Sequence, residues 1–131
     1  MALELPQEFA LQGHTGAFVS NSGKSHTAQM SESRCSLTSR ATHEGVPLLY
    51  AVDSDTPLIF EDENLKYVAE LHDLGNGKVW CLKARKVRSG QKDHVLKGGD
   101  DTGSFIGYEL EENLRVRDKC EAMESFKLVK V

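Results

Sequence analysis

The residues best suited to binding a charged ligand lie in one short basic stretch, residues 83–92. Its cations are Lys83, Arg85, Lys86, Arg88 and Lys92. A local cluster of this kind can attract an acidic protein or another acidic ligand, even on a chain whose net charge is negative. The more common interpretation is a solvated strand face followed by a loop. If the protein binds through charge, these five residues are the predicted contacts.

A second set of candidate contacts lies in two glycine-containing turns. The first turn holds His14 and Thr15, and the second holds Thr102. Paired glycines supply the positive φ angles that tight turns require, so local structure explains the glycines themselves. If binding depends on loops, the polar side chains of these two turns are the predicted contacts.

The sequence contains no recognisable catalytic constellation. It lacks a GxSxG motif, an HExxH motif, a phosphate-binding loop and a dinucleotide fingerprint. The histidines are scattered singly, and the acidic clusters fall in predicted turns without an EF-hand pattern. We therefore expect a protein that is not an enzyme and that uses no cofactor and no metal ion.

Length and charge narrow the class of protein further. A chain of 131 residues is long enough for one hydrophobic core. Its net charge of −4 disfavours nucleic acid as a partner, because phosphate binding usually requires net positive charge. No stretch approaches the roughly 18 apolar residues of a membrane span, and the acidic first residues do not resemble a signal peptide. We expect a cytoplasmic protein with no membrane span, which could form an oligomer.

Short apolar runs separated by turn residues predict an all-β fold. Early strands are predicted at residues 8–12, 17–20, 46–52, 58–60, 65–71 and 79–83. In the last third, strands are predicted in the apolar runs at residues 94–99, 102–106, 113–117 and 124–131. The polar segment 20–45 is predicted to hold a poorly defined strand pair with long loops, and 119–126 a single helical turn. The three cysteines are predicted to be small buried residues rather than disulfide partners or zinc ligands: Cys35, Cys81 and Cys120.

The chain also contains three weak copies of a unit of about 40 residues. They are predicted at residues 8–52, 57–92 and 93–131 of a single domain. The third copy is the clearest, with Gly103-Ser104-Phe105-Ile106, a polar turn at Asn113-Leu114, and Phe126-Lys127-Leu128.

This order resembles the repeat of the fascin-like and hisactophilin-like β-trefoils. The first copy matches through Gly16-Ala17-Phe18-Val19, whereas the second, with Lys66-Tyr67-Val68, lacks the glycine before the aromatic residue. The resemblance implies a β-trefoil, in which a closed six-strand barrel is capped by hairpins.

The same resemblance implies a function for the chain. It suggests a non-enzymatic, fascin-like binding module that contacts a protein partner, with actin favoured, through surface loops. Two alternatives stay open: a lectin of a non-ricin trefoil type that binds carbohydrate, and a trefoil protease inhibitor. The polar segment 21–44 would suit an inhibitory loop, because long loops in compact domains are often functional.

Overall fold

β-Strands account for almost all of the regular structure. The structure is a computed structural model that describes residues 7–21, 28–52, 54–75, 77–88, 95, 97–108, 114–118 and 124–130. Within these ranges the strands are β1 (Phe9–Gln12), β2 (Phe18–Asn21), β3 (Ala28–Ser31), β4 (Leu37–Ala41), β5 (Pro47–Ala51), β6 (Ile59–Asp62), β7 (Leu65–Asp73), β8 (Val79–Val87), β9 (Asp100–Gly107), β10 (Arg115–Arg117) and β11 (Ser125–Lys130).

Six of these strands close into an antiparallel barrel. They pair in the order β1, β4, β5, β7, β8 and β11, and β11 returns to β1. The closing ladder runs from Phe9 opposite Lys130 to Gln12 opposite Lys127. Closure leaves these six strands without unpaired edges that could recruit another chain. The predicted all-β fold with a closed six-strand barrel is therefore confirmed.

Three hairpins extend from the barrel. They are β2 with β3, β6 with the first residues of β7, and β9 with β10. β6 contacts both β3 and β10. The Asp62 carboxylate at the end of β6 accepts a hydrogen bond of 2.9 Å from the backbone N–H of Val116 in β10. A side chain of one hairpin thus fixes the position of the next.

The inward faces of the barrel strands and hairpins form the main core. In β1, Phe9 and Leu11 are fully buried, and in β8 the alternate residues Trp80 and Leu82 belong to the same cluster. This period of two is what a strand with one face against a core requires. Other members of the core are Val19, Met30, Leu37, Leu49, Leu58, Phe60, Ala69, Ile106, Tyr108 and Phe126.

A second, smaller cluster lies on the opposite face of β5, β7 and β8, outside the barrel. Leu48, Tyr50, Val68 and Val87 are buried there, and Val95 packs against them. Val95 therefore covers part of an apolar patch on the outer wall of the barrel.

One local prediction is wrong. The run around Val95 is not a strand, because Val95 and Lys97 have helical backbone and β9 begins only at Asp100. Segment 20–45 contains two strands, as predicted, but β3 pairs with β2 and β4 with β5 rather than with each other. His94, Leu96 and most of the predicted turn at 119–126 lie outside the described residues.

Cys81 is fully buried, as predicted, and Cys35 is half-buried against the core. Cys120 lies outside the described residues. Across the part of the chain that the structure describes, no helix has the length and apolar character needed to cross a membrane.

The bond from Val116 to Asp62 generates a test of how the hairpins are held together. Replacing Asp62 by alanine should lower the free energy of unfolding by about 1–3 kcal/mol, since a partly buried N–H loses its acceptor. Denaturant unfolding measures this loss. The matched control is Glu61→Ala on the exposed neighbouring position of β6, which should change stability by less than about 0.5 kcal/mol. Equal effects of the two substitutions would contradict the proposed role of Asp62.

Candidate functional site

The predicted contact residues lie on two separate parts of the surface. Lys83, Arg85 and Lys86 are on β8, Arg88 follows that strand, and Lys92 lies outside the described residues. Thr102, in the first half of β9, donates a hydrogen bond of 2.7 Å to the Ala84 carbonyl oxygen, so it sits beside the basic stretch.

His14 and Thr15 do not join this group. They contact Tyr108, which follows the far end of β9. The two glycine-containing segments that looked alike in sequence are therefore separated by the length of one strand, and Thr102 lies within β9 rather than in the predicted turn.

Arg85 is the most extensively bonded cation of the basic stretch. Its Nη1 donates a hydrogen bond of 2.8 Å to the Glu70 carboxylate on the adjacent β7. Its Nε and Nη2 donate to the carbonyl oxygens of Gly98 and Gly99 at 2.6 and 3.0 Å. All three guanidinium nitrogens are thus engaged within the protein, and the side chain is only 14% exposed. This geometry holds Gly98 and Gly99 against the outer wall of the barrel.

We call the contacts of Arg85 with Glu70, Gly98 and Gly99 the clasp. Its two glycines allow the chain to approach β8 closely. Gly99 has a φ of +67°, and a Cβ atom there would lie 2.6 Å from the Lys86 carbonyl oxygen. Gly98, with a φ of +91°, is buried against Val46. The pair thus lets the chain lie directly on β8, and a bulkier residue at Gly99 would lift it away.

The remaining cations differ from Arg85 in their accessibility. Lys83 is half-buried, opposite Glu70 on one side and Phe105 on the other. Lys86 and Arg88 are exposed, and Arg88 lies 3.9 Å from the Asp100 carboxylate. With more than half of each partner's side chain exposed, this contact adds little stability. Among the described cations of the stretch, Lys86 and Arg88 are therefore the most accessible to a macromolecular partner.

Arg85 can be separated experimentally from its neighbours. Arg85→Lys keeps the charge but loses the fork that bonds Glu70, Gly98 and Gly99 together, and should cost about 1.5–3 kcal/mol of stability. The matched substitution Arg88→Lys should cost less than about 0.5 kcal/mol, because that side chain is exposed. Urea unfolding curves of the two variants measure both losses of stability. If Arg85→Lys were as mild as Arg88→Lys, the clasp would not stabilise the fold.

The turn at His14 and Thr15 is organised by a buried tyrosine. The hydroxyl groups of Thr15 and Tyr108 lie 2.7 Å apart, and the Thr15 N–H donates to the same phenol oxygen at 3.2 Å. The His14 ring lies 4.7 Å from the Tyr108 ring, which stacks on Phe126 in the core. Thr15 therefore anchors the turn, and the exposed His14 ring is the part of it that a partner can reach.

Gly13 is required by this arrangement for steric reasons. A Cβ atom at position 13 would overlap the ring and hydroxyl of Tyr108. Gly13→Ala should therefore destabilise the protein by about 1–3 kcal/mol through overpacking. The control is a double-mutant cycle with Tyr108→Leu, in which the cost of Gly13→Ala should shrink. An unchanged cost in the Tyr108→Leu background, measured by thermal unfolding, would show that the overlap is not the cause.

A polar cleft of about 390 Å³ lies on the outer wall of the barrel, beside the start of β1. Its lining residues are Gln7, Glu8, Thr38, Arg40 and Val52. The sequence alone did not reveal this cleft, because its walls come from three separate segments of the chain that only the pairing of β1, β4 and β5 brings together.

Two tyrosines have perturbed acidity. Burial raises the pKa of Tyr50, and the nearby Arg40 guanidinium opposes that rise. Burial also raises the pKa of Tyr67, assisted by the negative charges of Asp62 and Glu63. In both cases the ordinary pKa is already near 10, so the phenols stay protonated at neutral pH. There they pack as neutral side chains in the two apolar clusters.

Within the described residues, His, Cys, Asp and Glu form no group of three or more that could hold a metal ion. No protein-family model matches the chain, and no curated protein and no solved structure is significantly similar to it.

Proposed function

We propose that the chain is a β-trefoil of three units, which consist of β1–β4, β5–β7 and β8–β11. Each unit would contribute two strands to the barrel and one hairpin to the cap. The barrel order supports this proposal, because it takes β1 and β4, then β5 and β7, then β8 and β11. In the second unit the long β7 would serve twice, pairing with β6 near its start and with β5 near its middle.

The hairpins supply a second argument for three equivalent units. Each presents one cross-strand pair to the main core: Val19 with Met30, Phe60 with Tyr67, and Ile106 with Val116. Under this proposal the unit boundaries fall in the β4–β5 and β7–β8 turns, rather than near residues 52–57 and 92–93. When the units are aligned in this way, Phe60 of the second unit corresponds to the inward-facing Val19 of the first. Tyr67 is then the cross-strand partner of Phe60.

As a function for this fold, we propose a non-enzymatic binding module that contacts an acidic protein surface, with actin as the favoured partner. The supporting observation is the exposure of Lys86 and Arg88 at the end of β8, next to Gly98 and Gly99, which Arg85 holds. The ladders on both sides of β8 fix the backbone of Lys86, and Arg88 directly follows the last paired residue, Val87. Preorganised charges of this kind favour association with an oppositely charged surface. The choice of actin rests on the resemblance to fascin-like repeats alone.

The protease-inhibitor alternative would use segment 21–44 as a protruding loop. In the described part of that segment, residues 28–31 and 37–41 form β3 and β4 instead. β4 is part of the barrel wall, paired with β5 along its length.

Co-sedimentation with filamentous actin at low and moderate salt tests the proposed function. The protein should pellet with actin at low salt and less at moderate salt, because exposed charges are screened. The double variant Lys86→Glu and Arg88→Glu should weaken binding by about tenfold or more, equivalent to roughly 1.4 kcal/mol.

A matched control reverses the same number of charges elsewhere. Lys127→Glu and Lys130→Glu alter two exposed lysines of β11 and should leave pelleting nearly unchanged. Absence of pelleting by the unaltered protein at micromolar actin would overturn actin as the partner. Equal losses in both double variants would show that net charge, and not the end of β8, governs binding.

A further inference from the structure

The polar cleft beside β1 is built on the outer face of one strand pair. Along β4, Leu37 points into the core whereas Thr38 and Arg40 face outward into the cleft. Thr38 pairs with Tyr50 across the ladder to β5, and Val52 follows β5 on the same outer face. Gln7 and Glu8, in the lead-in to β1, also line the cleft. Three segments of chain thus surround one space at the barrel surface.

The direction of the Arg40 side chain is fixed by an aromatic ring. Its guanidinium carbon lies 5.1 Å from the centre of the Tyr50 ring, a cation–π distance. Tyr50 is itself buried in the outer apolar cluster, so it provides a rigid support. A donor group held in this way loses less conformational entropy when a ligand binds.

The described lining residues include both hydrogen-bond donors and hydrogen-bond acceptors. The Arg40 guanidinium only donates, the Glu8 carboxylate only accepts, and the Gln7 amide does both. Among the described residues, Glu8 and Arg40 form no ion pair or hydrogen bond with each other or with another group. Their opposite charges cancel across the cleft, which disfavours a strongly charged ligand. Among the described lining residues Val52 is the one aliphatic side chain, so these residues offer an apolar ligand few partners.

We propose that this cleft binds carbohydrate, with one sugar unit seated between Glu8 and Arg40. Neighbouring sugar hydroxyls each donate and accept, so one hydroxyl can donate to the Glu8 carboxylate while the next accepts from Arg40. A volume of about 390 Å³ falls at the small end of the roughly 300–1,000 Å³ of ligand pockets, which suits a single ring with the rest of a glycan in solvent. This site is on a different surface from Lys86 and Arg88, and it does not depend on the protein-binding proposal.

Nitrogen-15 NMR titration of the full chain with four free sugars tests the proposal. The probes are D-glucose, D-galactose, D-mannose and N-acetyl-D-glucosamine, each taken to tens of millimolar, because an open single-ring site is expected to bind with millimolar affinity. At least one sugar should shift the backbone amides of Gln7, Glu8, Thr38 and Arg40 in a saturable way. The amides of Lys86 and Arg88 should not move. That pattern would also distinguish this site from the actin contact.

Three variants identify the groups responsible. Glu8→Gln and Arg40→Gln should each weaken the sugar's apparent affinity about fivefold or more, through loss of a charged hydrogen-bonding group. The control is Arg34→Gln, which removes an exposed arginine that stacks in the same manner on Phe18, at 5.8 Å, outside the cleft. That variant should bind the sugar as the unaltered protein does. A thermal unfolding curve for each variant checks that the fold is retained.

Specific results would overturn the proposal. If none of the four sugars shifts the amides of the cleft, or if the shifts survive both Glu8→Gln and Arg40→Gln, the cleft is not a carbohydrate site. If sodium acetate shifts these amides and the sugars do not, Arg40 binds anions there instead.

Discussion

The pairing of β11 with β1 is the constraint on which the rest of the structure depends. It joins the last described strand to the first, through the ladder from Phe9 opposite Lys130 to Gln12 opposite Lys127. Without it, β1 would keep few partners, because β1 meets β2 and β4 through only one residue pair each. Phe9 and Phe126, both fully buried, lie on either side of this joint and tie it to the main core. The closed wall in turn gives the hairpins and the outer surface their fixed positions.

Charged residues take two different roles on this wall, and the register of the strands decides which. Arg85 lies opposite Val68 on β7, within reach of Glu70 and of the chain passing over it at Gly98. It therefore acts within the fold. Lys86, the next residue, points away from that contact and stays exposed. Of two adjacent cations, one thus stabilises the fold and the other stays available at the surface. A count of positive charges along the chain cannot distinguish these two roles.

The strands were largely predictable from the sequence, and the reasons are local. Period-two burial at Phe9 and Leu11, and the turn glycines around residues 75–77, are properties of short segments. The misplaced strand at Val95 shows the limit, because its apolar side chain packs on an outer patch formed by β5, β7 and β8. β8 also continues to Val87, beyond its predicted end at residue 83, since charged side chains alternate with Ala84 on a half-exposed strand. The clasp and the cleft could not be foreseen, because both depend on which strands become neighbours.

Barrel closure also has a consequence for how the chain reaches its native state. The closing contacts join residues near opposite ends of the sequence, and long-range contacts of this kind form late and slowly. During synthesis on the ribosome, β1 and β8 emerge well before β11, which pairs with both of them. Until β11 arrives, the nascent barrel presents an open seam with unpaired backbone groups on each side, and such edges invite association with other chains. Pairing of β11 is thus the step that closes the barrel, and protein truncated before residue 125 should be prone to aggregation.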